Sequence, residues 1–288
     1  MDNRLDPFYD HLIDAVEANG DHLPDEQYQI LATYYRNLKN NRSLRPFYRY
    51  NWTQRVKPLV ETLGTNSKHD RRLRFLDAGC GTGTESLLCA TLYDNVDVVG
   101  VDITQERLTT ARHRIEAHAQ RLGRDMNLSF RSENVFSLLK AEPFDVVWTM
   151  EALSHIDPAE RFLTAAAESV PSGGFLVISD SHLTNPAMLW RLYKMRGFLP
   201  AERTTRTLTE DEIVSYADER LFSVGQLHRM LLDTEWQPIQ TQLSIFFPPR
   251  LAKHQTFFEL ATGLDRVLGK TPLLQNLGGI YTVVAQRQ

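Results

Sequence analysis

Phe75–Leu76–Asp77–Ala78–Gly79–Cys80–Gly81–Thr82–Gly83–Thr84–Glu85 decides how this chain is read. An apolar run ends in an acid, three glycines follow at alternate positions, and a helix-like stretch begins after them. Glycine lets a backbone turn sharply and lets a ligand approach without a Cβ in the way. A strand, a glycine loop and a helix in that order are how α/β proteins hold nucleotide-like ligands at the carboxyl edge of a sheet. A dinucleotide fingerprint, Gly-x-Gly-x-x-Gly, would need Gly or Ala at Thr84, so the match to a nicotinamide-binding loop is poor.

The acidic-x-Gly-x-Gly-x-Gly pattern resembles the first motif of the class I S-adenosylmethionine-dependent methyltransferases. The next segment strengthens the resemblance. Val98–Val99–Gly100–Val101–Asp102 reads as a second buried strand with a carboxylate at its end, 25 residues after Asp77. An acid at about that distance is placed to accept hydrogen bonds from ribose hydroxyls.

Outward from these two strands the chain alternates. Strands are expected at Phe75–Asp77, Val98–Val101, Leu128–Phe130, Phe144–Thr149, Phe175–Ser179, Ile239–Phe246 and Ile280–Ala285, with amphipathic helical stretches between. That alternation predicts an α/β fold, a Rossmann-like, mostly parallel sheet covered on both faces. The resemblance implies seven strands, the last inserted antiparallel beside the sixth. Helix starts are read at Thr82 with Glu85, at Asp157–Pro158–Ala159–Glu160 and at Ser223 with Gln226, and Thr104 is read as the cap of the helix after Asp102.

Residues 1–70 read as a helical lid, with Phe8, Leu12, Ile13 and Val16 on one face. After Pro24, Tyr28, Leu31, Ala32, Tyr35 and Leu38 share another. Residues 71–288 then form the core, with cap insertions at about 181–221 and 248–278. From Arg36 to Arg74 there are eleven Lys and Arg against two acids, inside a chain of net charge −4. Such a stretch suits a lid, an anion site, an RNA or only a solvated face.

The 288 residues are 42% hydrophobic and 24% charged, ordinary for a globular protein. No apolar run approaches the ~20 residues of a membrane span, and Met1–Asp6 has no signal-peptide pattern. Two cysteines make no disulfide framework, so reducing cytoplasm is the expected compartment. The negative net charge argues against nucleic acid as a partner.

Roles follow from the resemblance. It implies that Asp77, Gly79, Gly81 and Gly83 wrap the methionine end of S-adenosylmethionine. Asp102 would hold the ribose, Ile103 pack on adenine, and Asn134 with the Val135 N–H meet the adenine edge. Asn134 stands where the family usually has Asp. Thr149 and the residues after it, Glu151 and His155, would face the methyl group and the acceptor. His155 has the intrinsic pKa to take a proton near neutrality, with Glu151 four residues away to orient it or bind the donor's amino group. His182 is a second candidate base. No metal is expected, since Asp180 and His182 are the only suggestive local pair.

The expected acceptor is a small or medium-sized, partly apolar molecule carrying a hydroxyl. A lipid-linked acceptor, peripheral membrane contact and a homodimer stay open as partners. An RNA methyltransferase and a non-catalytic donor-binding subunit are the alternatives.

Overall fold

The computed structural model describes residues 5, 7–9, 42–67, 71–197, 199, 201–209, 212–217, 219–271 and 274–288. The faces read at Leu12–Val16 and at Tyr28–Leu38, and the basic residues Arg36 and Lys39, lie outside the described residues.

Seven strands form one sheet: β1 (Leu73–Ala78), β2 (Val96–Val101), β3 (Leu128–Arg131), β4 (Val146–Met150), β5 (Phe175–Ser181), β8 (Trp236–Ser244) and β9 (Ile280–Arg287). Their spatial order is β3-β2-β1-β4-β5-β9-β8. The first five run parallel, and β9 lies antiparallel between β5 and β8, as expected. The order reverses between β1 and β4, which opens a crevice at the carboxyl ends of these strands.

Strands buried on both faces read as nearly continuous apolar runs, and successive residues feed two cores. Leu76, Val147, Ile178 and Val283 face α4 (Val135–Ala141), α5 (Ala159–Ser169) and α7 (Val224–Leu232). Phe75, Val146, Trp148, Val177 and Val284 face α1 (Arg45–Asn66) and α2 (Thr84–Leu92). Between β2 and β3 runs α3 (Gln105–Leu122), whose Leu108 and Ala111 pack on Cys80 and Phe130.

Within the segment expected to be a lid, the helix Arg45–Asn66 is part of the core. Trp52, Val56, Leu59, Val60 and Leu63 of α1 are buried against the sheet, and Phe8 and Tyr9 pack on Trp52. Pro58 sits inside α1 and has no N–H to give the Gln54 carbonyl one turn back. The side-chain amide of Gln242, on β8, donates to that carbonyl at 3.2 Å. The break in the helix ladder is thus repaired by the sheet edge.

Four of the described basic residues are paired with acids. Lys57 pairs with Glu61 at 3.5 Å, Arg72 with Asp97 at 3.2 Å and Arg74 with Glu142 at 2.5 Å, while Arg71 pairs with Asp145.

The first insertion carries α6 (Pro186–Arg196) and a hairpin, β6 (Arg203–Thr209) with β7 (Glu212–Ala217). Its signal is the β-branched run Arg203–Thr204–Thr205–Arg206–Thr207. A bridge between His182 and Phe222 brings the two ends of the insertion together. The second insertion holds α8 (Gln255–Leu268). No described helix is long and apolar enough to cross a membrane.

Of the helix starts, Ser223 with Gln226 forms the full reciprocal capping box. The other readings are corrected. The first helix after the glycines is capped by Gly83, with no side-chain bond, because Thr82 and Glu85 are engaged elsewhere. Pro158, not Asp157, occupies the N-cap of α5. Thr104 stands at the N-cap of α3 but makes no side-chain capping bond.

Candidate active site

The glycine loop leaves β1 at Ala78 and folds back at once, with the Gly79 and Cys80 N–H groups donating to the Val101 carbonyl at 2.8 and 3.0 Å. Gly79, Gly81 and Gly83 have φ of 78°, 53° and 72°, in the left-handed region that side chains disfavour. A Cβ on Gly83 would lie 2.2 Å from the Phe130 ring, so packing excludes one there. A Cβ on Gly81 would meet nothing within 4 Å. At Gly81, then, the missing side chain leaves open ground above the loop.

The loop is held from outside. Asp102 Oδ2 accepts from the Gly81 N–H at 2.9 Å and Oδ1 from the Thr104 N–H at 2.7 Å. Arg114 of α3 donates to the Thr82 carbonyl at 2.9 Å, the Thr82 hydroxyl at 3.0 Å and the Thr84 hydroxyl at 2.9 Å. Ile103, next to Asp102, is half-buried.

Beneath the loop lie two buried acids. Asp77 accepts from the Ser86 hydroxyl at 2.5 Å. Burial first and the neighbouring Glu85 second push its carboxyl up to about 8. Glu85, read as a capping residue, turns inward and accepts from the Trp52 indole N–H at 2.7 Å. Burial raises its pKa as well. Sequence reasoning missed this Trp52–Glu85 contact because the partners lie on separate helices, and only tertiary packing joins them.

The chain beyond β4 does not form the helical face expected for Glu151 and His155. Residues 151–156 are turn and bridge, and Glu151 has φ of 50°. Glu151 faces Arg55 of α1, with Nη2 donating to its carboxylate at 2.7 Å. Arg55 is therefore a partner of Glu151. His155 is exposed. Asp180, at the end of β5, accepts from the Ser154 N–H at 3.1 Å and the Ser181 N–H at 2.7 Å, which pins the loop carrying His155. Burial and then Glu151 push Asp180 up to about 6.

His182 is removed from the candidate bases. It is 1% exposed. Its Nδ1 bonds the Gly278 carbonyl at 3.1 Å, and its Nε2 accepts from the Val224 N–H at 3.3 Å. Both ring nitrogens are thus occupied by main chain, and burial lowers the pKa, so the ring is a neutral tie between β5, α7 and the second insertion.

Asn134 is the N-cap of α4, its side-chain oxygen accepting from the Phe136 N–H at 3.0 Å. A carbonyl oxygen has two lone pairs, so one remains for a ligand. Val135 opens that helix, and its N–H is one of those a helix start leaves without an internal partner. Thr149 is inside β4, buried, with a hydroxyl lacking a hydrogen-bond partner among the described residues.

The glycine loop, Asp102, the Asn134–Val135 helix start and the end of β4 thus all stand on the carboxyl side of one sheet, around the point where strand order reverses. A family model described as a methyltransferase domain matches residues 69–220, more than half of the chain. The chain belongs to this methyltransferase family. Among curated relatives it is 28% identical, over 178 residues, to a ubiquinone biosynthesis O-methyltransferase of Sinorhizobium fredii, covering 62% of this chain and 64% of that one. It is 29% identical, over 142 residues, to the O-methyltransferase rstn1 of Aspergillus nomiae, covering 48% and 61%. The chain thus spans less than two thirds of the length of these relatives.

Among solved structures it resembles magnesium protoporphyrin IX methyltransferase from Synechocystis, crystallised with S-adenosylhomocysteine. The TM-score is 0.53 at 18% identity, covering 83% of this chain and 85% of that one. Geranyl diphosphate C-methyltransferase from Streptomyces coelicolor gives 0.52 at 14%, covering 81% and 76%. At such identities the likeness is one of fold, and the class I methyltransferase fold is the fold of this chain.

Proposed function

We propose that this methyltransferase moves a methyl group from S-adenosylmethionine to a hydroxyl of a small or medium-sized, partly apolar molecule. The observation that carries the reading is the open ground at Gly81 directly above buried carboxylates. A cationic ligand with an ammonium group suits a pocket whose acids have been pushed toward neutrality, because it restores their charge and takes up their bonds. When bound, the donor supplies a methyl group already activated on a positively charged sulfur.

The protein's own part is to hold, orient and remove one proton. Asp77 and Glu85 with the loop of Gly79, Gly81 and Gly83 take the amino-acid end. Asp102 takes the ribose with the lone pairs left after Gly81 and Thr104. Ile103 packs against the base, and Asn134 with Val135 meets its edge. His155, exposed on the loop pinned by Asp180, is the histidine left to accept the hydroxyl proton. The printed names of the two curated relatives, both O-methyltransferases, support oxygen as the methylated atom. The pairing of Lys57, Arg71, Arg72 and Arg74 with acids removes much of the ground for an RNA substrate. The free, buried thiols of Cys80 and Cys89 fit a reducing compartment.

The test begins with calorimetric titration by S-adenosylmethionine and S-adenosylhomocysteine. A screen of catechols and other hydroxylated aromatics follows, read by S-adenosylhomocysteine formation. Binding with turnover is expected. Failure to bind either nucleoside refutes the reading, and tight binding with no turnover over the panel makes the protein a non-catalytic donor-binding subunit.

A further inference from the structure

Gly79, Gly81 and Gly83 put three glycines within five positions. Glycine has more backbone freedom to lose than any other residue. If such a loop were ordered only by its ligand, the cost of ordering would be taken out of the affinity. Here the protein's own groups tie it. The Val101 carbonyl holds Gly79 and Cys80, and Asp102 holds the Gly81 N–H. The crest, Thr82 between the last two glycines, is held by Arg114 of α3.

A single guanidinium nitrogen does this. Nη1 of Arg114 donates to the Thr82 carbonyl at 2.9 Å, the Thr82 hydroxyl at 3.0 Å and the Thr84 hydroxyl at 2.9 Å. Its two N–H groups are shared among three oxygens, so the crest and the first residue of α2 are drawn to one point. Hydrogen bonds from a charged donor are stronger than neutral ones. The anchor is itself fixed. Arg114 follows Ala111 by three residues, on the same side of α3, and Leu108 and Ala111 pack on Cys80 and Phe130. The helix lies so near the loop that a Cβ on Gly83 would be 3.1 Å from Ala111. The charge of Arg114 also reaches Glu85 beneath the loop, lowering its pKa against the rise that burial causes. Arg112 on the same helix is engaged elsewhere, its Nη2 donating to the Phe130 carbonyl at 3.2 Å.

We propose that Arg114 is a positioning residue for the methyl donor. By holding Thr82 and Thr84 from α3, it keeps the peptides around Gly81 and Gly83 in the conformation that takes the donor's amino-acid end. The inference rests on the donor-binding reading above. Arg114 acts through the loop, so its contribution is pre-organisation: folding orders the glycines, and binding does not have to.

The test is calorimetry with S-adenosylhomocysteine on the wild-type protein, Arg114→Met, Arg114→Lys and Arg112→Met, each below its unfolding temperature, with amide hydrogen exchange read over residues 79–86. Arg114→Met should bind about tenfold more weakly or worse, the scale of a lost charged hydrogen bond. Its loop amides should exchange faster than wild type in the free protein and slow again when the ligand saturates. Arg114→Lys keeps the charge on a shorter reach and should recover part of the affinity. Arg112→Met removes the same charge from the same helix and should bind as wild type does. A folded Arg114→Met with wild-type affinity refutes the proposal even if its melting temperature falls, since the residue then serves only the fold. Equal weakening by Arg112→Met refutes it too, because the charge of the helix and not the loop would then set affinity. If Arg114→Met does not fold, Thr82→Val combined with Thr84→Val removes two of the three acceptors; weaker binding is expected, and wild-type affinity refutes. In these refuting cases the donor-binding reading survives. If the wild type does not bind S-adenosylhomocysteine, both fall.

Discussion

Gly81→Ala separates what the loop does for the fold from what it does for a ligand. The φ of 53° at Gly81 lies in the left-handed well, where an L residue costs roughly 1–2 kcal/mol. A Cβ there meets no atom within 4 Å, so no packing cost is added. Gly83→Ala is the control. It carries the same backbone cost, and its Cβ would lie 2.2 Å from Phe130 and 3.1 Å from Ala111. Overpacking adds typically ~1–3 kcal/mol, for a total of about 2–5 kcal/mol. Thermal or urea unfolding should therefore rank wild type, Gly81→Ala and Gly83→Ala in falling stability. Donor affinity should break that order. Gly81→Ala, the mildly destabilised variant, should lose S-adenosylhomocysteine binding by more than tenfold, because the new methyl occupies the ground the ligand needs, and Gly81→Val should abolish it. Wild-type affinity in a folded Gly81→Ala protein would refute the placement of the ligand over this loop.

Asp102→Ala should weaken S-adenosylhomocysteine binding by about 1.5–3 kcal/mol, the range for hydrogen bonds to a charged group; unchanged affinity would remove the ribose assignment. Asp77 gives a pH dependence. Its folded pKa of about 8 stands above the usual carboxylate value, so the folded apo protein keeps this proton from about pH 4 to 8, where the unfolded chain has lost it. On that account its contribution to stability falls as pH rises through this window. An ammonium ligand draws the proton off, so affinity should rise with pH up to about 8. Binding at pH 7 should release about one proton, seen as a buffer-dependent heat and lost in Asp77→Asn; a buffer-independent heat would sink the idea. The histidines should part company. His155→Ala should lower kcat with donor affinity intact, whereas His182→Gln should lower the melting temperature with kcat per folded molecule intact. The reverse pattern would restore His182 as the base.

The sheet was legible because its strands are local signals. Val98–Val101 and Phe175–Ser179 announce themselves by apolar content and by the turn residues around them, and the glycine loop by its spacing. What escaped was whatever depends on contact between distant segments. Trp52 read as part of a basic, aromatic stretch and Glu85 as a capping residue, yet 33 positions apart they meet in a 2.7 Å hydrogen bond. Arg55 read as one charge in a run of eleven and is instead the buried partner of Glu151, 96 residues on. His182 read as a base because histidine near a strand end has the right pKa. Its two main-chain bonds come from Val224 and Gly278, on segments that nothing in its neighbourhood announces. The Arg203–Ala217 hairpin escaped for a different reason: the insertion that holds it was read only as a cap, with no strand assigned within it.

The chemistry of the site and its stability are one argument. Asp77, Glu85 and Asp180 are buried with pKa values raised chiefly by desolvation, which means that the fold holds them at a cost. A sequence selected for stability alone would place apolar residues under the loop, since the same strands bury Val and Phe without penalty. Groups kept in costly states persist where surrounding structure over-determines them, and such sites tend to be functional. A ligand that supplies an ammonium and a sulfonium offsets this cost, and one that binds only the folded chain stabilises it by mass action, by ~2.7 kcal/mol at one hundred times Kd. The unfolding temperature should therefore climb with S-adenosylmethionine concentration, and Asp77→Asn should raise the temperature of the free protein while flattening that climb. A variant that gains stability and keeps the full ligand response would show that Asp77 is only a buried acid, not the seat of the cation.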